Sequence, residues 1–314
     1  MKTLIVSLCF LIFPLTAFSQ NVIFVAPAGG DFNNPVDALD AIGTVLPAPS
    51  ASNRYLVKLA PGRYNVNDPV VMKPFVDLQG SGIKTTLIRG AVDSSFGGPA
   101  GSRGIINAAS RSEIRNLSVR NTWSDSSALG ILVESTTGSL ISNVRTVASG
   151  SAMNTGAWKY GMSIRNSNNV RLVHVSARGR SSDPTLCQGI AVSRSSVTIN
   201  DSRAVGKSDS CTISLGLNAG DGSQVQVSNS VLRGEGSLNG ISVSGVSDIA
   251  GSDTTVRIRH SVLEGQVFAG TPGEAGMTQV LISHSELTGP VSGAATCFGS
   301  HDPILNPLNA SCIP

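Results

Sequence analysis

Short alternating segments that close on Asn, Asp or His recur along most of this chain, and this recurrence constrains the fold more than any other feature. Segments 112–116 (SEIRN), 139–143 (SLISN), 170–174 (VRLVH) and 197–201 (VTIND) are followed by 225–229 (VQVSN), 256–260 (VRIRH) and 280–284 (VLISH). Their closing residues are Asn116, Asn143, His174, Asp201, Asn229, His260 and His284, spaced 24 to 31 residues apart. A second series opens on Gly104, Gly130, Gly161, Gly189, Gly216 and Gly240, again 24 to 31 residues apart. The two series advance together, so each unit holds at least two short strands joined by turns.

A repeat of this length with period-2 strands matches one coil of a parallel β-helix. Coils of that kind stack at the strand spacing of ~4.8 Å and bury their inward side chains on those of their neighbours. No helical stretch of ten or more residues separates the strands, which excludes a barrel of alternating strands and helices. A narrow solenoid interior suits small and β-branched residues, in keeping with an aromatic content of only 4%. Asn and Asp tolerate left-handed backbone and bond locally, so a sharp turn in every coil selects them. His174, His260 and His284 fall on the same turn position. Their spacing follows the coil period rather than any metal-ligand geometry, so they are read as turn residues, not as a metal or acid/base site.

The chain ends differ from the repeat. Residues 1–19 carry a short positive start, an apolar stretch over 4–13 and the small-x-small run Ala17, Phe18, Ser19, the pattern of a secretory signal. The apolar run is too short to span a membrane. Residues 20–50 are expected to form an N-terminal strand and a capping helix. Asn34 would be the cap and Pro35 the first turn, with Val36, Leu39, Ile42 and Leu46 near helical spacing. Coils are expected over 51–293 and a closing tail over 294–314. Export places Cys187, Cys211, Cys297 and Cys312 in an oxidising compartment, where four cysteines suggest two disulfides with three formal pairings. Coil spacing favours Cys187–Cys211 across one coil and Cys297–Cys312 across the tail. No pair has the CxxC spacing of a zinc or redox site.

Composition removes several functions. Charged residues make up 14% of the chain against the usual ~25% of soluble domains, and the formal net charge is only +3. No Lys/Arg block offers a footprint for phosphates, so a nucleic-acid partner is not expected. No cofactor motif stands out.

The opening residues resemble those of pectin methylesterases and related pectin lyase-like β-helix proteins. Residues 24–32 (FVAPAGGDF), 57–64 (VKLAPGRY), 76–82 (VDLQGSG) and 86–90 (TLIRG) match the entry coils of that family. The resemblance implies an all-β, right-handed parallel β-helix with a short N-terminal capping helix, in an extracellular glycan setting. It does not carry the chemistry. The family's QDTL and DFIFG runs, which supply its catalytic aspartates, are absent; 149–153 (SGSAM) and 180–184 (RSSDP) stand instead.

One set of loops, those preceding the glycine-led strands, is richer than the rest. It contains Trp123 and Asp125, then Trp158, Lys159 and Tyr160 one coil later, then Arg178, Arg180 and Asp183. Both tryptophans of the chain are there, and aromatic faces beside charges of both signs suit sugar rings, their hydroxyls and uronates. The competing reading is that the tryptophans only pack loops onto the solenoid. Expected, therefore, is a secreted protein that binds a polysaccharide or serves a structural surface role. The alternative is a polysaccharide-active enzyme: a pectinesterase, a hydrolase using Asp125 with Asp183 or Asp209, or a lyase with Lys159 or Arg178 as base.

Overall fold

The computed structural model describes residues 20–94, 103–150, 157–182, 186–208, 213–236, 240–246, 252–270 and 276–313. The signal segment lies outside them, as do Asp183, Asp209 and Cys211. The chain is a parallel β-helix that is nearly all strand. Among the described residues every strand pairing is parallel, and successive coils add to one 17-stranded and one 9-stranded sheet.

Inward positions alternate along each strand and stack between coils. One column passes through Val57, Leu78, Ile114, Ile141, Leu172, Ile199, Val227, Ile258 and Ile282. All of them are buried, and the column closes on Cys297. Cys297 is bonded to Cys312, with their Cα atoms 5.1 Å apart, so the tail expected from sequence is tied to the last rung of the core. The strand Ala295–Phe298 itself pairs with Thr278–Ser283, and the stack therefore continues beyond residue 293.

The seven repeat-closing residues form one column. All have positive φ, from 56° at Asn116 to 47° at His284, and Gly299 continues the series at 57°. This is the left-handed region, open to Gly and, at small cost, to Asn and Asp. His occupies it three times, and the rings of His260 and His284 stack at 5.4 Å between centroids. No described group of three or more His, Cys, Asp or Glu is placed to hold a metal ion.

A serine follows the turn in the later coils. The N–H of Ser202 donates to Ser230 Oγ at 3.1 Å, that of Ser230 to Ser261 Oγ at 3.2 Å, and that of Ser261 to Ser285 Oγ at 3.2 Å. Each hydroxyl in turn donates to the carbonyl two residues back, as Ser230 does to Ser228 at 2.7 Å. These buried hydroxyls satisfy backbone groups that the left-handed turn removes from the strand ladder. A second corner repeats the device with Thr136, Ser167 and Ser195 behind the left-handed residues Ser135, Asn166 and Arg194.

The glycine series serves close approach. A Cβ on Gly189 would lie 2.4 Å from the Val205 nitrogen, and one on Gly206 would lie 2.4 Å from the Cys187 carbonyl oxygen. Glycines on both strands thus let the two sheets abut backbone to backbone. One register differs from the sequence expectation. Ser214 pairs with Gly240 and Leu217 with Val243, so Gly216 stacks on Ser242 rather than on Gly240. The sheet follows the apolar residues Leu217 and Val243, both fully buried, and not the glycine.

At the N-terminal end the helix Pro35–Ala41 lies over the first coil. Asn34 Oδ1 accepts from the Val36 N–H at 2.9 Å, and Ala38, Leu39 and Ile42 are buried. No described helix is long and apolar enough to cross a membrane.

Candidate functional site

The nine-stranded sheet carries the glycine-led strands, and its outer face holds a cleft of about 580 Å³. Along Trp158–Arg165, Met162 and Ile164 enter the core. Strict alternation would bring Tyr160 in with them, but the face switches at Gly161, where the opposing sheet comes too near for a side chain. Tyr160, Ser163 and Arg165 therefore line the cleft instead. The same switch at Gly189 and Gly216 brings out Gln188 and Leu215, which pair in register with Tyr160. Two residues earlier, Trp158, Leu186 and Ile213 form the adjoining column.

The cleft thus has an apolar floor with polar groups set into it. Trp158 is 39% exposed and meets Tyr160 edge to face, with centroids 5.7 Å apart. Tyr160 packs with Leu129 and Leu132 in an apolar cluster separate from the core. Burial pushes its phenol well above the usual tyrosine range, opposed only in part by the Arg165 charge. Arg165 is held by Glu134 at 3.1 Å. Asn218, Ser244 and Asp221 supply further donors and acceptors toward the far end, where Phe268 closes the lining. Gln188 is 1% exposed, and its Oε1 has no hydrogen-bond partner. A buried acceptor left unpaired costs roughly 1–3 kcal/mol.

The residues singled out from sequence are divided by the structure. Trp158 and Tyr160 are in the cleft. Lys159 points the other way and is fully buried; its Nζ donates to the carbonyls of Trp123 at 2.8 Å and Ser126 at 2.6 Å. An ammonium so held anchors a loop and is not placed to act as a base on a surface ligand. Trp123 is half-buried, and its indole N–H donates to Ser126 at 3.0 Å. Asp125 is exposed on that loop beside Ser124. Arg178 and Arg180 belong to Val170–Arg180, in the other sheet, and line no part of this cleft. Asp183 is outside the described residues. Cys187, directly after Leu186, is disulfide-bonded and fully buried, while Cys211 is outside the described residues.

Sequence reasoning passed over Gln188, Leu186, Ile213 and Leu215. The signal that could have found them is the glycine series itself. Gln188 stands directly before Gly189 and Leu215 before Gly216, as Tyr160 stands before Gly161. A larger hollow, about 810 Å³, lies toward the C-terminal end, but its lining contains no aromatic ring and only Asp253 as a charged group.

No family model matches the chain, and no curated protein matches it. Among solved structures, a pectin methylesterase from carrot superposes at a TM-score of 0.52 with 12% identity, over 89% of this chain and 88% of that one. Pectin methylesterase PemA from Erwinia chrysanthemi gives 0.44 at 12% identity, over 94% and 92%. The Yersinia enterocolitica pectin methylesterase gives 0.37 at 11% identity, over 90% and 93%. The likeness to pectin methylesterases expected from the entry coils is thus a likeness of fold.

Proposed function

We propose that this is a secreted carbohydrate-binding protein that seats a sugar chain in the cleft of the nine-stranded sheet, without turnover. The observation that carries the reading is that Trp158 and Gln188 line the same cleft. An accessible indole offers a face for a pyranose ring, and a buried amide oxygen without a donor gains one when its side chain turns toward a sugar hydroxyl in the cleft. Leu186, Ile213 and Leu215 would take the apolar edges of the sugar rings, while Ser163 and Asn218 would reach further hydroxyls. The signal-like segment 1–19 and the disulfides favour an extracellular setting.

The test is retention of the purified protein on a panel of neutral and acidic polysaccharides, run beside assays for reducing ends and released methanol. The reading expects retention on at least one glycan with no product formed. Trp158→Ala should weaken retention at least tenfold with little change in melting temperature. Product formation would establish the enzyme alternative. Unchanged retention of Trp158→Ala would remove the cleft as the site.

A further inference from the structure

A second surface, on the other sheet, carries a line of cations. Its strands Thr86–Gly90, Glu113–Asn121, Leu140–Ser149, Val170–Arg180, Arg203–Ser208 and Val231–Gly236 stack in succession. Each contributes an arginine to the outward face: Arg89, Arg120, Arg145, Arg178, Arg203 and Arg233. They occupy two neighbouring columns. Arg89 pairs in register with Arg120, which leads through Val147 to Arg178 and through Val205 to Arg233. Arg145 leads through Ser176 to Arg203 in the other column. The result is one guanidinium per coil, recurring at about the ~4.8 Å strand spacing along the solenoid axis.

One end of this line is neutralised by carboxylates, the other is only hydrogen-bonded, and its middle is unpaired. Arg89 donates to Asn65 Oδ1 at 2.7 Å, and Arg233 is paired with Glu235 and with Glu264 at 2.8 Å. Lys207 is paired with Glu235 at 2.6 Å. Arg120, Arg145, Arg178, Arg180 and Arg203 make no hydrogen bond or ion pair with any described residue. Burial pulls the Arg178 guanidinium below the ordinary arginine range; Glu235 opposes this, and the charges of Arg203, Arg145 and Arg180 add to it. Stacked like charges destabilise a fold, so a sequence that repeats them coil after coil is compensated best by an anionic ligand.

We propose that this arginine line binds an acidic polysaccharide lengthwise along the solenoid, at a site separate from the cleft. Guanidinium groups take carboxylate or sulfate oxygens in pairs, and a ligand with charges recurring along an extended chain can meet several coils at once. The face is narrow, and the positions between the arginines are Val147, Ser176 and Val205, with no aromatic ring. It therefore offers no stacking platform for nucleic-acid bases and no large apolar anchor for a lipid surface.

The experiment measures binding of alginate and of heparin to the wild-type protein and to the triple variant Arg145→Gln, Arg178→Gln, Arg203→Gln, as a function of salt. Controls are dextran, a single-stranded oligonucleotide and vesicles containing anionic lipid. The expected result is binding to alginate or heparin that weakens steeply with salt, and at least tenfold weaker binding by the triple variant with a shallower salt dependence. Its melting temperature should be unchanged or raised. Should the triple variant not fold, Arg145→Gln alone, at an exposed position, should lower the affinity severalfold. Equal affinities of the arginine variants and wild type would overturn the proposal. So would equally tight binding to the oligonucleotide or the vesicles.

Discussion

Asn143 donates its side-chain amide to Asn116 Oδ1 at 2.8 Å, across the 27 residues that make one coil. Both residues sit in the left-handed region, at φ 50° and 56°. One residue type thus meets two demands, a turn that a β-branched side chain would strain and a bond that ties one coil to the next. Asn143→Val should destabilise the protein by about 1–3 kcal/mol in urea unfolding, and Asn143→Gly by clearly less. Equal losses for the two substitutions would show that backbone strain is not what selects Asn there.

The serine column gives a second expectation. Ser230→Ala removes the acceptor of the Ser202 N–H and the hydroxyl that donates to the Ser228 carbonyl, both in buried surroundings. A buried donor left unpaired costs roughly 1–3 kcal/mol, although the substitution changes volume very little. Hydrogen exchange at the Ser202 amide should rise together with the loss of stability.

Gly189→Ala should be more damaging than either. The added methyl would lie 2.4 Å from the Val205 nitrogen and 2.7 Å from the Gly216 oxygen, both backbone atoms that cannot rotate aside. The two sheets would have to part, at a cost of about 3 kcal/mol or more. A stability within 1 kcal/mol of wild type would contradict the close approach.

Much of this architecture was legible in the sequence. The Asn/Asp/His column and the capping helix at Asn34 and Pro35 follow from residue types with narrow conformational preferences. The site was less so, because the outward face of a glycine-led strand cannot be read from alternation alone. The face switches at Gly161, which puts Tyr160 in the cleft and turns Lys159 into the interior. Simple loop adjacency had grouped Lys159, Arg178 and Arg180 with the tryptophans. Register at Gly240 slipped for a related reason: burial of Val243 outweighs the alignment of a glycine.

Tyr160 provides a pH test of the cleft wall. Its pKa is raised on folding, so its contribution to stability is complete below the unfolded value near 10 and is lost as pH rises beyond it. Stability should therefore fall with pH above about 10, and Tyr160→Phe should flatten that fall. An unchanged slope in Tyr160→Phe would mean that the phenol is not shielded from water.

Gln188→Leu separates stability from binding. Removing a buried acceptor that has no donor should leave stability unchanged or raise it by about 1 kcal/mol, whereas glycan retention should fall. A variant less stable than wild type would imply that Gln188 is a structural residue.

The most direct test uses the indole that the cleft exposes. The chain has two tryptophans, so Trp123→Phe leaves Trp158 as the sole indole reporter. This variant should be titrated with oligosaccharides of whichever polysaccharide retains the protein, following tryptophan fluorescence. The result expected is a saturable change in Trp158 emission, with a midpoint matching the affinity from retention and at least tenfold weaker in Gln188→Leu. Retention of the glycan with no change in Trp158 emission would contradict the cleft as the carbohydrate site.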